Sequence, residues 1–460
     1  MFRKQPLLVS TVLLKSTEKL LHSFSRRNVS KRNYLSRMYL LPPSKLRDTG
    51  LTSKSQNLFL HNEILFPCHN GAFYYLPLGL RALEKLTRLI DEELQSIGAQ
   101  KISMPTMVTA ALWKKTGRWG TDELFKLKDR HLTEYCLGPT HEELVTSLVA
   151  QFERLSYKRF PLMLYQITRK FRDEMQPKFG LLRGREFEMK DLYTFDLDEE
   201  TARETYSLVC DTYHTIFHRL QLNYMKVEGA TGNIGGKMSH EYHLPASIGE
   251  DSLFICDKCG FGSNIELIDE QNQSEDVACP QCQSAMKIQT GIEVGHAFLL
   301  GTKYSEVLNA KVTNKEGKRI TTEMGCYGLG VSRILQAGVE VLHDGESIRW
   351  PRLIAPYQVA ILPQKSQDSG PFLKLSDELY DRLCSLPSLR HDVVIDDRVD
   401  RTIGWRKNQL NRQGFPYIIV VGKKCQEDPA QYELIDTYSG TTDFLSLDQL
   451  IDTLSMLHTL

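Results

Sequence analysis

The sequence predicts two folded units behind a basic leader: a mixed α+β body and a smaller α/β unit made from about the last hundred residues. Three observations predict this. The first is a charge split that the formal net charge of +0 conceals, since residues 1–47 hold 11 Lys and Arg against one acid, Glu18, leaving 46 basic and 56 acidic residues in the rest. The second is a long amphipathic pattern followed by a strand, loop, strand reading before residue 200. The third is a strict alternation of strand-like and helix-like segments after Trp350. A chain of 460 residues has room for two or three domains at roughly 100–200 residues each. Its 41% hydrophobic and 25% charged content excludes a collagenous, coiled-coil or wholly disordered chain. No apolar run approaches the roughly 18 residues that a membrane span needs, so no membrane partner is expected.

In the leader, Leu7, Leu8, Val12, Leu13, Leu14, Leu20 and Leu21 alternate with Arg3, Lys4, Lys15 and Lys19. A basic, Ser-rich, acid-poor amphipathic segment of this kind is the composition of a mitochondrial transit peptide, here residues 1–40, with a basic arm for nucleic acid as the alternative. The body, 41–349, opens with a helix from Leu80 to Ile97 whose Leu83, Leu86, Leu89, Ile90 and Leu94 share a face, closed by Gly98 as C′ residue. Gln100 to Met107 should be an edge strand or strand end, because Pro105 donates no hydrogen bond. A subunit edge suits that place. Leu162 to Phe195 reads as strand, loop, strand, and Glu199 to Leu220 as a helix. In the last unit, 350–460, strands at 358–362, 392–396 and 417–421 alternate with helices at 373–386 and 405–412 in βαβ fashion.

The densest chemical signal is FRDEMQPKFGLLRGREFEMKD, residues 171–191, where 10 of 21 residues are charged. If it forms two antiparallel strands, Glu186 and Glu188 share one face and Phe187 and Met189 the other. Arg172 and Arg183 could then grip a phosphate or carboxylate, and Glu174 could accept from a purine amino group. A solvated, salt-bridged hairpin is the alternative. A second signal, GCYGLGVSR at 325–333, sets Gly328 and Gly330 at a strand end and Arg333 in the first turn of a helix, a favourable place for anions. A third is Cys256-x2-Cys259, 19 residues, then Cys279-x2-Cys282, the spacing of a four-thiolate zinc site with a structural role.

FRDE with RGREF, and then GCYGLGVSR, resemble motifs 2 and 3 of class II aminoacyl-tRNA synthetases. LGPTHEE at 137–143, RGREFEMKDLYTF at 183–195, GGKMSHEY at 235–242 and GIEVGHAFLLGTKYS at 291–305 resemble prolyl-tRNA synthetases of the bacterial and mitochondrial type. The resemblance runs from about residue 57 to 440. It implies an α+β catalytic domain with an antiparallel sheet flanked by helices, a C-terminal α/β anticodon-binding domain, a homodimer, and activation of proline with ATP and magnesium in the mitochondrial matrix before transfer to tRNA(Pro).

Residue by residue, the resemblance implies that Arg172 holds the α-phosphate and substrate carboxylate, Glu174 the adenine amino group, Phe187 the adenine ring and Arg333 the γ-phosphate. Arg183, Gly328 and Gly330 complete the nucleotide site, with Glu186 as a further nucleotide or magnesium contact or a strut for Arg172. Thr140 and Glu142 would receive the cationic proline nitrogen, although Thr140 with Glu143 also reads as a capping box. His240 and Glu241 would lie beside the proline ring, with His296 a further candidate, against the alternative of a buried structural histidine at 240. Arg398, Arg401, Arg406 and Lys407 offer a basic helix face to tRNA, or a merely solvated one. Between Glu266 and Gly291 only about 24 residues remain, too few for the editing domain that bacterial relatives carry there. A rival reading is a noncatalytic RNA-binding subunit, which should have lost Arg172 and Arg333.

Overall fold

The structure, a computed structural model, describes residues 32–39, 51–152, 155–267, 277–365 and 370–457. Most of the predicted leader therefore lies outside the described residues. The first long helix, α1 (Pro77–Ser96), starts three residues earlier than its hydrophobic repeat suggested, because Pro77 occupies the first turn, where a missing N–H costs nothing. Its apolar face, Leu78, Leu83, Leu86, Leu89, Ile90 and Leu94, is fully packed. Each such side chain contributes about 1.5–3 kcal/mol. Gly98, at φ +83°, turns the chain out of the helix.

The next strand, β1 (Gln100–Lys101), is only two residues long and lies at the rim of a nine-stranded sheet. Pro105 falls outside it. The other strands of that sheet are β2 (Leu162–Phe171), β3 (Glu186–Asp196), β4 (Met225–Glu228), β5 (Met238–Pro245), β6 (Asp251–Ile255), β7 (Gly262–Asn264), β8 (Lys287–Gly301) and β9 (Glu323–Gly330). Their spatial order is β5-β4-β7-β6-β8-β9-β3-β2-β1, and β5 also pairs with β8. All pairings are antiparallel except β1 with β2 and β4 with β7. Two helices, α2 (Glu199–Arg219) and α3 (Val331–Leu342), pack on one face of the central strands, where Tyr206, Tyr213, Tyr327 and Leu329 share a single core. The other face is left for a pocket.

After Trp350 a second sheet follows the expected alternation: β10 (Val359–Pro363), α4 (Gly370–Ser385), β11 (Val393–Ile395), α5 (Ile403–Arg412) and β12 (Tyr417–Val421). It then continues into an antiparallel pair, β13 (Tyr432–Asp436) and β14 (Thr442–Leu445), which the sequence reading did not anticipate. Asp392 pins this unit to α1 through Arg81 at 2.9 Å and Lys85 at 2.7 Å. Both bridges are partly or wholly buried.

Residues 32–39, assigned from composition to the leader, are docked on the C-terminal unit. Tyr34 forms a parallel bridge with Ile395 at the free edge of β11, and Ile395 N–H donates to Asn33 O at 2.9 Å. Arg32 pairs with Asp377 and Asp381, and Ser36 Oγ donates to Asp397 at 2.6 Å. Leu35 is 1% exposed. This strap covers an edge strand whose unpaired backbone groups would otherwise face solvent.

Candidate active site

Strand alternation builds the pocket. Met189 lies opposite Gly330, Asp191 opposite Gly328, and Gly328 opposite His296, so these positions share the face that α2 and α3 leave open. Phe187, Cys326 and Phe298 line the same cavity. A Cβ on Gly328 would meet nothing closer than 4.0 Å, so the missing side chain leaves room in the cavity rather than relieving a clash.

At one part of the wall sits a buried carboxylate cluster. LGPTHEE runs from a strand into the helix Glu142–Ala150, but the expected capping box does not form: His141 is the N-cap residue, and the Thr140 hydroxyl faces Glu142 Oε1 and Oε2 at 2.7 and 2.8 Å. Glu142 is fully buried, receives Arg118 Nη1 at 3.0 Å, and lies 3.0 Å from the Cys326 thiol. Burial opposes its ionisation, but Arg118, Cys326 and Thr140 together hold its pKa below the usual carboxylate range. The same Arg118 atom reaches Glu143 at 3.0 Å, whose pKa burial pushes up. A second layer fixes Thr140: Tyr193 OH lies 3.2 Å from its hydroxyl, receives His141 N–H at 2.7 Å and donates to Asp191 at 2.9 Å. Lys170 neutralises Asp191 at 2.7 Å.

The cationic part of the wall comes from Arg172 and Arg333. Arg172 leaves the end of β2, its guanidinium lies over the Phe187 ring at 5.3 Å, and its Nε is buried without a partner. Burial, with Arg333 as a like-charged neighbour, pushes its pKa down against the pull of Glu123, yet a guanidinium remains a cation. Arg333, in the first turn of α3, donates to Glu293 O at 2.8 Å and sits 3.3 Å from Glu293 Oε2. Burial works against the Glu293 charge, but His296 and Arg333 outweigh it and hold that carboxyl well below its usual range.

A sequence-family profile described as tRNA synthetase class II core domain (G, H, P, S and T) matches residues 125–342, and one described as anticodon binding domain matches 358–457. A rat protein named "Probable proline--tRNA ligase, mitochondrial" is 50% identical over 416 residues, covering 90% of this chain and 87% of its own. The human protein of that name is 48% identical over 417 residues, covering 90% and 87%. The chain belongs to the mitochondrial proline–tRNA ligase family. The Schizosaccharomyces pombe member is 40% identical, covering 88% of this chain and 94% of its own. In fold, the chain resembles the Giardia lamblia prolyl-tRNA synthetase solved with prolyl-adenylate, with a TM-score of 0.71 at 20% identity over 87% of this chain and 76% of that one.

Of the residues expected for a proline–tRNA ligase, the structure brings Thr140, Glu142, Arg172, Glu174, Arg183, Phe187, His296, Gly328, Gly330 and Arg333 to one cavity. His296 presents a buried Nε2 without a partner there. Three expected residues are not brought in. Glu186 points to the opposite face of β3 and pairs with Arg169 at 2.8 Å, because it is one residue out of phase with Phe187. His240 faces α2, bonding Tyr206 OH through Nδ1 at 2.7 Å, and burial lowers its pKa to about 4. That is the structural histidine of the alternative reading. Glu241 is opposite His296, but its carboxylate is taken by Asn264 and His243, each at 2.9 Å.

On the C-terminal unit, Arg406 is wholly buried and donates to Asp396 O and Pro363 O, so it braces the fold and is not offered to RNA. Arg401 is exposed, Lys407 half-buried, and Arg398 is held by Asp396 at 2.7 Å. Arg398 and Arg401 both lie over the exposed Trp405 ring, at 5.5 and 5.3 Å. Sequence reasoning missed Arg118, Glu293, Asp191, Tyr193 and Cys326. Asp191, Tyr193, Glu293 and Cys326 lie inside the quoted motifs without being singled out there, and Arg118 alone lies outside all of them.

Proposed function

We propose that this protein is a proline–tRNA ligase: it activates proline with ATP to an enzyme-bound prolyl-adenylate and passes the prolyl group to the 3′-terminal ribose of tRNA(Pro). The observation that carries the reading is a single cavity lined both by the buried, ionised Glu142 and by Arg172 and Arg333, the former with an unpartnered donor. Glu142 and Thr140 receive the cationic imino nitrogen, which when desolvated needs an anionic partner. Proline's carboxylate oxygen attacks the α-phosphorus, pyrophosphate leaves, and Arg172 neutralises charge gathering on the phosphoryl oxygens. Phe187 stacks on adenine, Glu174 accepts from its amino group, and Arg333 takes the γ-phosphate, with Arg183, Gly328 and Gly330 around the nucleotide. In the second step a ribose hydroxyl attacks the carbonyl and AMP departs. No side chain needs to become covalently attached; positioning and charge do the work.

Magnesium fits Glu293, an ionised pocket carboxylate beside Arg333, better than Glu186, and when bound it would offset triphosphate charge. Zinc belongs to the four-cysteine lobe. Amino-acid-dependent ATP–pyrophosphate exchange across all twenty amino acids tests the reading, and proline alone should drive strong exchange. No exchange from a folded, magnesium-supplied sample would favour the noncatalytic RNA-binding rival.

For tRNA, Arg401, Lys407 and Arg398 around the exposed Trp405 suit an RNA loop, where bases stack on aromatic and guanidinium planes. A homodimer would cover large apolar side chains left exposed on the catalytic unit, among them Phe66, Tyr74, Leu80 and Met107. With no room for an editing domain between β7 and β8, the chain does not hydrolyse alanyl-tRNA.

The catalytic unit is 41–349 and the anticodon-binding unit 350–460, with the strap added to the latter. Import to the mitochondrial matrix then removes residues upstream of Arg32 only, since cleavage at 40 would strip the strap from β11. N-terminal sequencing of the mature protein from mitochondria should find a start at or before Arg32. A start at or beyond residue 40 would refute this division.

A further inference from the structure

Two cysteine pairs, far apart in sequence, meet beside β6 and β7, away from the pocket. Cys256 and Cys259 lie in the turn between β6 and β7, and Cys279 and Cys282 precede β8. The two turns are built alike. In each, the residue after the second cysteine is left-handed, Gly260 at φ +76° and Gln283 at φ +61°. In each, that residue's N–H donates to the first cysteine's carbonyl at 2.9 Å, and the first cysteine's own N–H donates 2.8 Å to a carbonyl five residues on, Phe261 O and Ser284 O. Gln283 accepts a conformation that disfavours a side chain in order to complete the second turn.

The four Sγ atoms all lie within 4.8 Å of one another, with Cys256 to Cys282 at 3.4 Å and Cys259 to Cys279 at 3.5 Å. A disulfide would require about 2.05 Å. Four thiolates each about 2.3 Å from one ion stand about 3.8 Å apart at the corners of a tetrahedron. The nearby carboxylate Asp257 pairs with Lys287 at 2.5 Å, leaving an all-sulfur ligand set. Such softness selects zinc over magnesium or calcium. The lobe's own core is also small: among the described residues it comprises Phe254, Cys256, Cys279 and Met286. A cluster of that size needs a further tie to hold a fixed shape.

We infer that Cys256, Cys259, Cys279 and Cys282 bind one zinc ion, and that this ion fixes the lobe of β6, β7 and the two cysteine turns. All four positions of the ion are filled by protein, so the site is structural. The lobe in turn holds Asn264, at the end of β7, against Glu241 at 2.9 Å. The ion thus ties the short connection between β7 and β8 to the rim of the catalytic sheet.

The test uses the purified full chain after dialysis against metal-free buffer, with metal content measured by mass spectrometry and proline-dependent pyrophosphate exchange followed in the same samples. The expected result is close to one zinc per chain, released when a mercurial blocks the thiols. Replacing zinc by Co(II) should give sulfur-to-cobalt charge-transfer bands with tetrahedral d–d absorption. Cys259→Ser and Cys282→Ser should each lower zinc content by about tenfold or more, and lower the thermal midpoint, while Cys425→Ser keeps the metal. A chain that catalyses exchange but holds less than about a tenth of an equivalent of zinc would overturn the inference. So would iron in place of zinc, disulfides between these cysteines, or full zinc content in both serine variants. Zinc binding without any exchange would leave the metal site standing and count against the proline–tRNA ligase reading instead.

Discussion

Arg172→Ala is expected to lower kcat/KM for proline-dependent pyrophosphate exchange by about three orders of magnitude or more, with little loss of stability. One oxyanion-type donor aimed at developing charge is worth roughly 10²–10³ in rate, and a guanidinium supplies more than one such donor. The stability side follows from the contacts. Arg172 makes no salt bridge among the described residues, its Nε is unpartnered, and burial pushes its pKa down. A partly buried cation beside Arg333 without a full set of partners is arranged for a ligand that is yet to arrive, so its removal costs the fold little and the reaction much. Arg172→Lys keeps the charge but not the planar fork over Phe187, and should recover only a small part of the rate. Exchange kinetics with a thermal melt on each variant check this. Near-normal exchange by a well-folded Arg172→Ala protein would remove Arg172 from the phosphate site.

Much of this arrangement was legible because chemistry and period coincide in a few segments. The segment from Leu162 to Phe195 was read as strand, loop, strand, and the phase of an antiparallel pair placed Phe187 and Met189 together, as their shared cavity bears out. The same phase argument, applied strictly, already put Glu186 on the other face. His240 lies outside the cavity lining for a different reason: β5 pairs with β8 so that Ala297 lies opposite it, and that face meets α2. Strand partners 57 residues apart leave no trace in local pattern. Arg118 was hidden because it reaches Glu142 from a short helical turn 24 positions earlier, where one arginine among many carries no periodic signal. Arg406 illustrates the converse: a helix rich in cations looked like a surface, and one of its cations is used by the fold internally. The final hairpin, β13 with β14, went unread although its connection carries Ser439-Gly440, with Gly440 at φ +75°, a turn signal between two short alternating segments.

Glu142→Gln should raise the KM for proline about a hundredfold while leaving the KM for ATP nearly unchanged. Removing one partner of a buried charge pair costs about 3–5 kcal/mol, and in this variant the stranded charge belongs to the substrate. The enzyme itself has a reserve. Arg118 Nη1 lies 3.0 Å from both Glu142 and Glu143, so the two carboxylates share one cation. The mutual repulsion, with burial first, is what pushes Glu143 up. Once Glu142 is neutral, Glu143 ionises more readily and balances Arg118, and the fold survives. Arg118→Met removes that common counter-charge and should behave differently. Both carboxyls would then have folded pKa values raised above their unfolded values. The folded state would hold protons that the unfolded state has released, so stability would be greatest below the unfolded carboxylate range and fall as pH rises through it. In the unaltered protein Glu142 has the opposite sign: its folded pKa is lowered, so its contribution is present above the unfolded value and lost as pH falls. Urea unfolding of Arg118→Met and the parent between pH 4 and 7, beside the proline KM of Glu142→Gln, separates these roles. A proline KM unmoved in Glu142→Gln would mean that the imino nitrogen is held elsewhere, and parallel stability profiles would mean that Arg118 does not set the charge of Glu142.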